Sequence, residues 1–432
     1  GVLAQTVAFH RRPLEYLRAC QAEFGDAFTL RLLTARPLAV VADPEAARAL
    51  LDADPGRAEA GAGRRRILPF ASERSVFGGD GEGHRAARER IEPALSPAAM
   101  AARRPAMIAI AERQASFWPR HRPFQLLSQM RTLCDEIFVR LVLGVRDDDV
   151  AVSLAAAIGR MLRTPGNPPL TLPGPGDGTA GTLGEWLFAW RRTGVARELH
   201  RAIAARRAEE AVASPAGSAE GSGGSDGSKS PPNLADDVLG RMIGSHPALS
   251  DEEIVDELLS LLMAAQEPPA IALTWLLDRL SREPERAVAF AEDPTGPAAD
   301  AIVRETLRLR PPASGVLRRL AEPLRAGGRE LPAGLTVLVP SALLNRDPRA
   351  YEAADEFRPE RWDGAEPPVP FFPFGGGARR CVGEHLARAE IETVVPALLR
   401  AVKLAPLAPE PEPMVQRATV LVPRRSLLVR AV

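Results

Sequence analysis

Ten residues near the C-terminal end, Phe374-Gly375-Gly376-Gly377-Ala378-Arg379-Arg380-Cys381-Val382-Gly383, constrain this 432-residue chain more than any other stretch. Three consecutive glycines let the backbone turn sharply and approach a flat partner without Cβ clashes. Cys381 then stands just before an apolar run that predicts a helix over Gly383–Val402. The free N–H groups and positive dipole end of such a helix favour thiolate over thiol. Arg379 adds a cation of the planar type that pairs with carboxylates. A lone cysteine after a Gly-rich turn is ordinarily a packing residue. Cys20 and Cys134, which have no such setting, are read that way.

Three cysteines without a C-x-x-C spacing argue against a disulfide framework and fit a reducing compartment. Lys plus Arg equals Asp plus Glu at 55 each, so no global charge points to nucleic acid or a membrane surface. Hydrophobic residues at 45% and charged residues at 25% are the balance of a folded soluble protein. Apolar runs fall short of the roughly 20 residues that span a bilayer. Gly1–Gln5 shows neither the charged start nor the apolar core of a signal peptide, and no initiator Met. The expectation is a cytoplasmic protein from which a short leader has been trimmed. Positive charge is almost all Arg, Lys229 and Lys403 being the only lysines, a bias associated with high-GC bacterial genomes.

Along the chain, Pro13–Glu23 reads as a helix, and Phe28–Leu32 with Pro37–Val41 as a hairpin. Asp43-Pro44 opens another helix, with Asp as cap and Pro in the first turn. Glu82 to about Val145 is mostly helical, broken at Pro93, Pro97 and Pro123. Thr164–Gly184, rich in Pro and Gly, resists regular structure, and Ala213–Asn233 reads as a disordered internal loop. Ser250-Asp251-Glu252-Glu253 is a capping box. The helix that it starts runs to Arg282, roughly 50 Å at 1.5 Å per residue. Another helix follows Pro284 through Arg310, then strands near Val316–Leu320 and Thr336–Val339, a Pro-rich stretch, a loop at Phe371–Arg380, the helix after Cys381, and closing strands.

The ten-residue segment resembles the cytochrome P450 signature F-x-x-G-x-R-x-C-x-G at every fixed position. Distant segments agree in order: Glu305-Thr306-Leu307-Arg308 resembles the family's E-x-x-R, Phe357–Trp362 its Arg-bearing loop, and Gly83–Arg88 a haem-contacting helix. Asn345–Pro348 also matches. The resemblance covers essentially the full chain. It implies one mainly α domain with small β-sheets, residues 1–432, with haem b between the long central helix and the Cys-loop helix. It implies Cys381 as the iron ligand, whose anionic sulfur donates electron density to the metal. His84, Arg88, Arg318 and Arg379 would hold the haem together with Phe374, Gly375 and Gly383, Arg319 competing with Arg318. Glu305, Arg308 and Arg361 would form a structural charge network. A monomer that takes electrons from a ferredoxin and its reductase is expected, with Arg103, Arg104, Arg379 and Arg380 as its docking patch.

The chain departs from the family in the long helix, where an acid and then Thr are usual. Here the segment is Ala264-Ala265-Gln266-Glu267-Pro268-Pro269. The acid is Glu267; the alcohol is replaced by Pro268, which has no donor on side chain or backbone. The two prolines also remove the helix bonds to the carbonyls of Ala264 and Ala265 and should kink the helix there. Catalytic interest therefore falls on Ala264, Glu267 and Pro268. Three chemistries remain open. The first is an oxygen- and electron-dependent monooxygenase whose proton relay uses Glu267, water or a substrate hydroxyl. The second is peroxide use; family peroxygenases carry Pro at the alcohol position, but with Arg in place of the acid. The third needs no cleavage of dioxygen: nitrene or group transfer, dehydration, or rearrangement. A haem sensor or carrier lies outside catalysis. By resemblance, substrate contacts fall on Ile67–Phe70, the flanks of Thr164–Gly184, Ala264, Ala265, Pro268, Ala313–Leu317 and Val415–Gln416. These are apolar stretches suited to a lipophilic or aromatic small molecule, such as one tailored in secondary metabolism.

Overall fold

The Asp43 carboxylate accepts the N–H groups of Glu45 and Ala46, both at 3.0 Å, so the cap read from the sequence starts a helix where its chemistry places one. The computed structural model describes residues 1–32, 35–53, 55–65, 71–163, 183–213, 237–364 and 371–432. Ile67–Phe70 and most of the two irregular segments lie outside these residues. Of the first segment, Leu183 and Gly184 already belong to a helix, and Ala213 is that helix's last residue.

The chain begins with α1 (Val2–Arg11), absent from the sequence reading, and α2 (Pro13–Phe24). Strands β1 (Ala27–Leu32) and β2 (Ala35–Val41) form the expected antiparallel hairpin. After α3 (Pro44–Asp52) come β3 (Ala58–Glu59), α4 (Ala60–Arg65), α5 (Gly81–Ile91), α6 (Pro97–Ser116), β4 (Pro123–Gln125) and α7 (Leu126–Ile137). The middle of the chain is helical: α8 (Asp148–Arg163), α9 (Leu183–Ala213), α10 (Val238–Ile243), α11 (Asp251–Ala265) and α12 (Glu267–Arg282). The helix expected from Pro284 through Arg310 is two, α13 (Pro284–Glu292) and α14 (Pro297–Leu309). Pro294-Thr295-Gly296-Pro297 carries the break, since prolines cannot donate helix bonds.

Next come β5 (Gly315–Leu320), β6 (Leu324–Ala326), β7 (Arg329–Leu331), β8 (Thr336–Pro340) and α15 (Ser341–Leu344). The chain closes with α16 (Glu384–Ala401), β9 (Leu404–Pro406), β10 (Met414–Arg417), β11 (Val420–Pro423) and β12 (Leu428–Ala431). The largest sheet has the order β1-β2-β8-β5-β3, with β2 parallel to β8 and its other neighbours antiparallel. The fold is thus mainly α with small sheets.

The main core joins α7 (Leu126, Leu127, Met130, Leu133), α12 (Ile271, Leu273, Leu276) and α16 (Val394, Leu398). Apolar faces at helical spacing bury together there, and each large aliphatic side chain taken from water contributes about 1.5–3 kcal/mol. The capping box closes as its residue types dictate: Glu253 N–H donates to Ser250 Oγ at 3.3 Å, and Ser250 N–H to Glu253 Oε2 at 3.0 Å. The long helix is interrupted at Gln266 (φ −97°, ψ −55°), immediately before Glu267-Pro268-Pro269.

Candidate functional site

The loop that carries Cys381 is built on glycine geometry. Gly375 and Gly377 have φ of +71° and +58°, a region that side-chain-bearing residues rarely enter. A Cβ on Gly377 would also stand 2.5 Å from the Leu51 carbonyl oxygen, so the loop sits tightly against the end of α3. Cys381 N–H donates to the Phe374 carbonyl at 2.8 Å, closing the turn and setting the cysteine at the head of α16.

The Cys381 side chain is accessible at its surface, yet protein crowds it from most directions. Burial pushes its thiol above the ordinary value; the Gly383 N–H, Arg64 and Arg88 pull the other way. The helix start does favour thiolate, through the Gly383 N–H, but in the protein alone burial outweighs it. Deprotonation there calls for a cation bound directly to the sulfur, as a metal provides.

Four arginines and a histidine gather around this loop from four parts of the chain. Arg64 comes from α4, His84 and Arg88 from α5, Arg318 from β5, and Arg379 from the loop itself. Burial and then repulsion from Arg318 and Arg379 bring Arg64 down to about 9. Burial and Arg379 bring Arg318 down to about 10. Burial, Arg379, Arg88 and Arg64 bring His84 down to about 4, so its ring is neutral at pH 7. The guanidiniums stay charged at that pH. Asp80 faces this cluster, but it also accepts the N–H groups of Gly61 at 2.8 Å and Ala62 at 2.7 Å besides Arg379. Arg379 gives one nitrogen to the Gly79 carbonyl at 2.7 Å, while its Nε and Nη1 are buried without a partner among the described residues. A concentration of buried positive charge with orphaned donors is stable only against added anions. The carboxylates of a haem fit that requirement, and the adjacent cysteine fits its iron.

Most of the residues singled out in the sequence meet here. Arg318 faces the cluster, whereas Arg319 points to the other side of its strand and donates from Nε to Glu59 at 2.6 Å. Arg88 donates to the Arg380 carbonyl at 2.6 Å and to Glu92 at 2.5 Å. Arg64 and Asp80 were not legible: one more Arg in an Arg-rich chain carries no signal until α4 is folded against β5. Gly63 marks that contact, since a Cβ there would meet the Arg318 backbone at 3.0–3.1 Å.

The expected docking patch is corrected at Arg379, which is buried. Arg380 pairs with Glu384 and Arg104 with Glu392, yet their side chains stay 60% and 36% exposed, and Arg103 donates to the Ala94 carbonyl at 2.6 Å.

The charge network of Glu305, Arg308 and Arg361 is fully formed. Arg308 grips Glu305 with two bonds of 2.8 Å, and both side chains are 0% exposed. Arg361 Nε adds a bond of 3.0 Å to Glu305, Trp362 Nε1 another of 3.0 Å, and Arg358 N–H one of 2.8 Å. Arg308 also donates to the carbonyls of Asn345, Ala354 and Glu356. Burial alone would raise Glu305, but bonds from Arg308 and Arg358 outweigh it and hold the carboxyl below its usual range.

At the helix break, Ala264, Glu267 and Pro268 are each half-buried. Arg131 Nη2 of α7 donates to Glu267 Oε2 at 2.7 Å. The Ala313–Leu317 segment meets the β10–β11 hairpin: Ala313 bridges to Val420, and Ser314 N–H donates to the Thr419 carbonyl at 3.0 Å. No described helix is long and apolar enough to cross a membrane.

Residues 296–430 match the family model for cytochrome P450. A Mycobacterium tuberculosis protein named as cytochrome P450 137 is 30% identical over 431 residues, covering 97% of this chain and 85% of the relative. The protein named as cytochrome P450 135B1 from Mycobacterium bovis is 28% identical, covering 99% of this chain and 89% of its own. Among solved structures, retinoic acid-bound cyanobacterial CYP120A1 superposes with a TM-score of 0.78 at 21% identity, over 99% of this chain and 96% of that one. CYP175A1 from Thermus thermophilus gives 0.70 at 25% identity, over 97% and 94%.

Proposed function

Because this chain belongs to the cytochrome P450 family of oxidoreductases, which carry haem on a cysteine thiolate, we propose that Cys381 is its iron ligand and that it oxidises a lipophilic or aromatic small molecule with dioxygen and external electrons. The observation that carries the assignment is the accessible Cys381 sulfur beside half-buried Arg64 and the buried cations Arg318 and Arg379, the last with two nitrogens unpartnered among the described residues. Arg64, His84, Arg88, Arg318 and Arg379 would hold the propionates, while Phe374, Gly375 and Gly383 shape the loop under the ring. Neutral His84 serves as a hydrogen-bond donor and not as a charge. Bound haem supplies the redox chemistry at its iron, tuned by the anionic sulfur.

The chain's own residues then set the terms of proton supply. Pro268 can neither donate nor relay, so the hydroxyl usual at this position has no equivalent here. Glu267, held by Arg131, is the nearest ionisable group on the broken helix. The apolar residues Ala264, Ala265 and Pro268, with Ala313–Leu317 and the β10–β11 hairpin, would face the substrate. That composition favours an apolar molecule, which excludes water from the reacting bond. A tailoring step in bacterial secondary metabolism is the role that suits such a site, with a ferredoxin and its reductase as electron source.

Turnover assays test the reading. Product formation with NADPH, ferredoxin and reductase, requiring oxygen, is the expected result. Product with peroxide alone would replace this reading by peroxygenase chemistry, and product under argon by group transfer, dehydration or rearrangement. Haem binding without turnover of any substrate would leave a sensor or carrier.

A further inference from the structure

Asp80 stands immediately before α5, where an aspartate ordinarily caps the helix that follows, yet it makes no side-chain cap bond to α5. Both of its oxygens turn to α4 instead. Oδ1 accepts from the Gly61 N–H at 2.8 Å and Oδ2 from the Ala62 N–H at 2.7 Å. A Cβ on Gly61 would stand 2.6 Å from Asp80 Oδ2 and closer still to the carbonyl oxygens of Gly78 and Gly79, so the two segments meet with no room for a side chain between them. The carboxylate is fixed by backbone.

That carboxylate grips Arg379. Nη2 of Arg379 donates to Asp80 Oδ1 and to the Gly79 carbonyl, which uses both of its hydrogens. Nε and Nη1 carry the other three and have no partner among the described residues, on a side chain only 4% exposed. One nitrogen is spent on orientation and two are left over. Charge and geometry make opposite demands here. As a charge, Asp80 repels an incoming carboxylate, and a cluster that only attracted anions would hold them better without it. As an acceptor on a fixed backbone, it sets where the free N–H groups of a long, flexible side chain stand, through a charge-assisted bond.

We propose that Asp80 is a positioning residue for haem: anchored on the α4 backbone, it holds Nη2 of Arg379 so that Nε and Nη1 present their N–H groups to a haem propionate. The inference rests on the reading of Cys381 as the iron ligand. Its consequence runs against simple charge counting, since removing a negative group weakens the hold on an anion. Asp80 itself touches neither haem nor substrate; it acts through Arg379.

The test compares wild type, Asp80→Asn, Arg379→Met and the double variant, each loaded with haem. Loss of haem to an excess of haem-free myoglobin should be about 10-fold faster in Asp80→Asn, because groups that orient ligating residues typically contribute factors of that order. An equal or slower rate means that charge dominates and overturns the proposal. In the Arg379→Met background the same substitution should change the rate by less than about 2-fold, because the residue through which it acts is gone. A full effect in both backgrounds makes Asp80 a folding residue only, and also overturns it. The propionate bending bands in the resonance Raman spectrum should shift in Asp80→Asn; unchanged bands contradict positioning. Diffraction from the haem-loaded wild type decides the matter without any variant. Asp80 should remain on Nη2 with a propionate at Nε or Nη1, and an Arg379 turned away from Asp80, or lacking a propionate, refutes the proposal. A wild type that takes up no haem sinks the Cys381 reading together with this one, whereas thiolate-bound haem with the contrary Asp80 result sinks this one alone.

Discussion

Arg131 Nη2 and Glu267 Oε2 lie 2.7 Å apart, so the acid next to Pro268 is fixed by a cation from a different helix. Their side chains are 14% and 17% exposed, which places the pair between surface and core. Burial and then Arg131 hold the Arg417 guanidinium below its ordinary value, with Glu267 pulling it back. Glu267→Gln would leave two cations facing each other. Exposed pairs contribute up to about 1 kcal/mol and broken buried pairs cost about 3–5, so a loss of about 1–2 kcal/mol is expected. Adding Arg131→Met should recover part of it. Denaturant unfolding of the single and double variants checks this; a Glu267→Gln variant as stable as wild type contradicts it.

The Glu305–Arg308 pair gives the sharpest stability test. Arg308 makes five hydrogen bonds while wholly buried. Arg308→Ala strands Glu305 in the core and should cost about 3–5 kcal/mol. Arg308→Lys should not rescue it, because a point-charge ammonium cannot reproduce the fork. Urea unfolding followed by circular dichroism measures both, and near-wild-type stability of the Lys variant would show that geometry is unimportant there.

Glycine strain in the cysteine loop separates two positions with similar backbone angles. At Gly375 an added Cβ meets only the Arg379 carbonyl at 3.7 Å, whereas at Gly377 it meets the Leu51 carbonyl at 2.5 Å. Gly375→Ala should cost about 1–2 kcal/mol, the ordinary penalty for positive φ. Gly377→Ala adds a clash with backbone, which cannot yield cheaply, and should displace the loop and lower haem retention. The ratio of haem to protein absorbance after purification reads the difference; equal retention in the two variants would count against the close packing on α3.

A buried carboxyl on α16 adds a pH dependence remote from the cysteine. Burial pushes Glu390 up to about 8, and its Oε2 has no partner among the described residues. The folded state therefore keeps a proton that the unfolded chain releases near 4.5. Stability from this group is fully present below about 4.5 and is lost as pH rises toward 8, by at most about 1.4 kcal/mol per pH unit. Glu390→Gln should flatten the profile in that window and be more stable than wild type at pH 8. Melting temperatures between pH 5 and 8 check it; parallel profiles would contradict it.

Features set by neighbouring residues were legible in the sequence. The Asp43 cap, the Ser250–Glu253 box, the turn at Cys381 and the helix break just before Pro268 all follow from chemistry within a few positions, and the structure shows each of them. Features set by tertiary approach were not. Arg131 and Glu267 are 136 positions apart, and neither residue type announces the other. Arg64 joins the cation cluster only because α4 packs on β5, and Arg379 leaves the docking patch only because the folded loop buries it. The division of α13 from α14 was written in Pro294–Pro297, where helical periodicity on either side masked it.

The coordination of iron by Cys381 is tested most directly by the spectrum of the reduced protein under carbon monoxide. The account predicts a Soret band at the long wavelength characteristic of thiolate ligation, lost in Cys381→Ser. A wild-type band at the shorter wavelength of a neutral ligand, or a Ser variant with an unaltered spectrum, would contradict it.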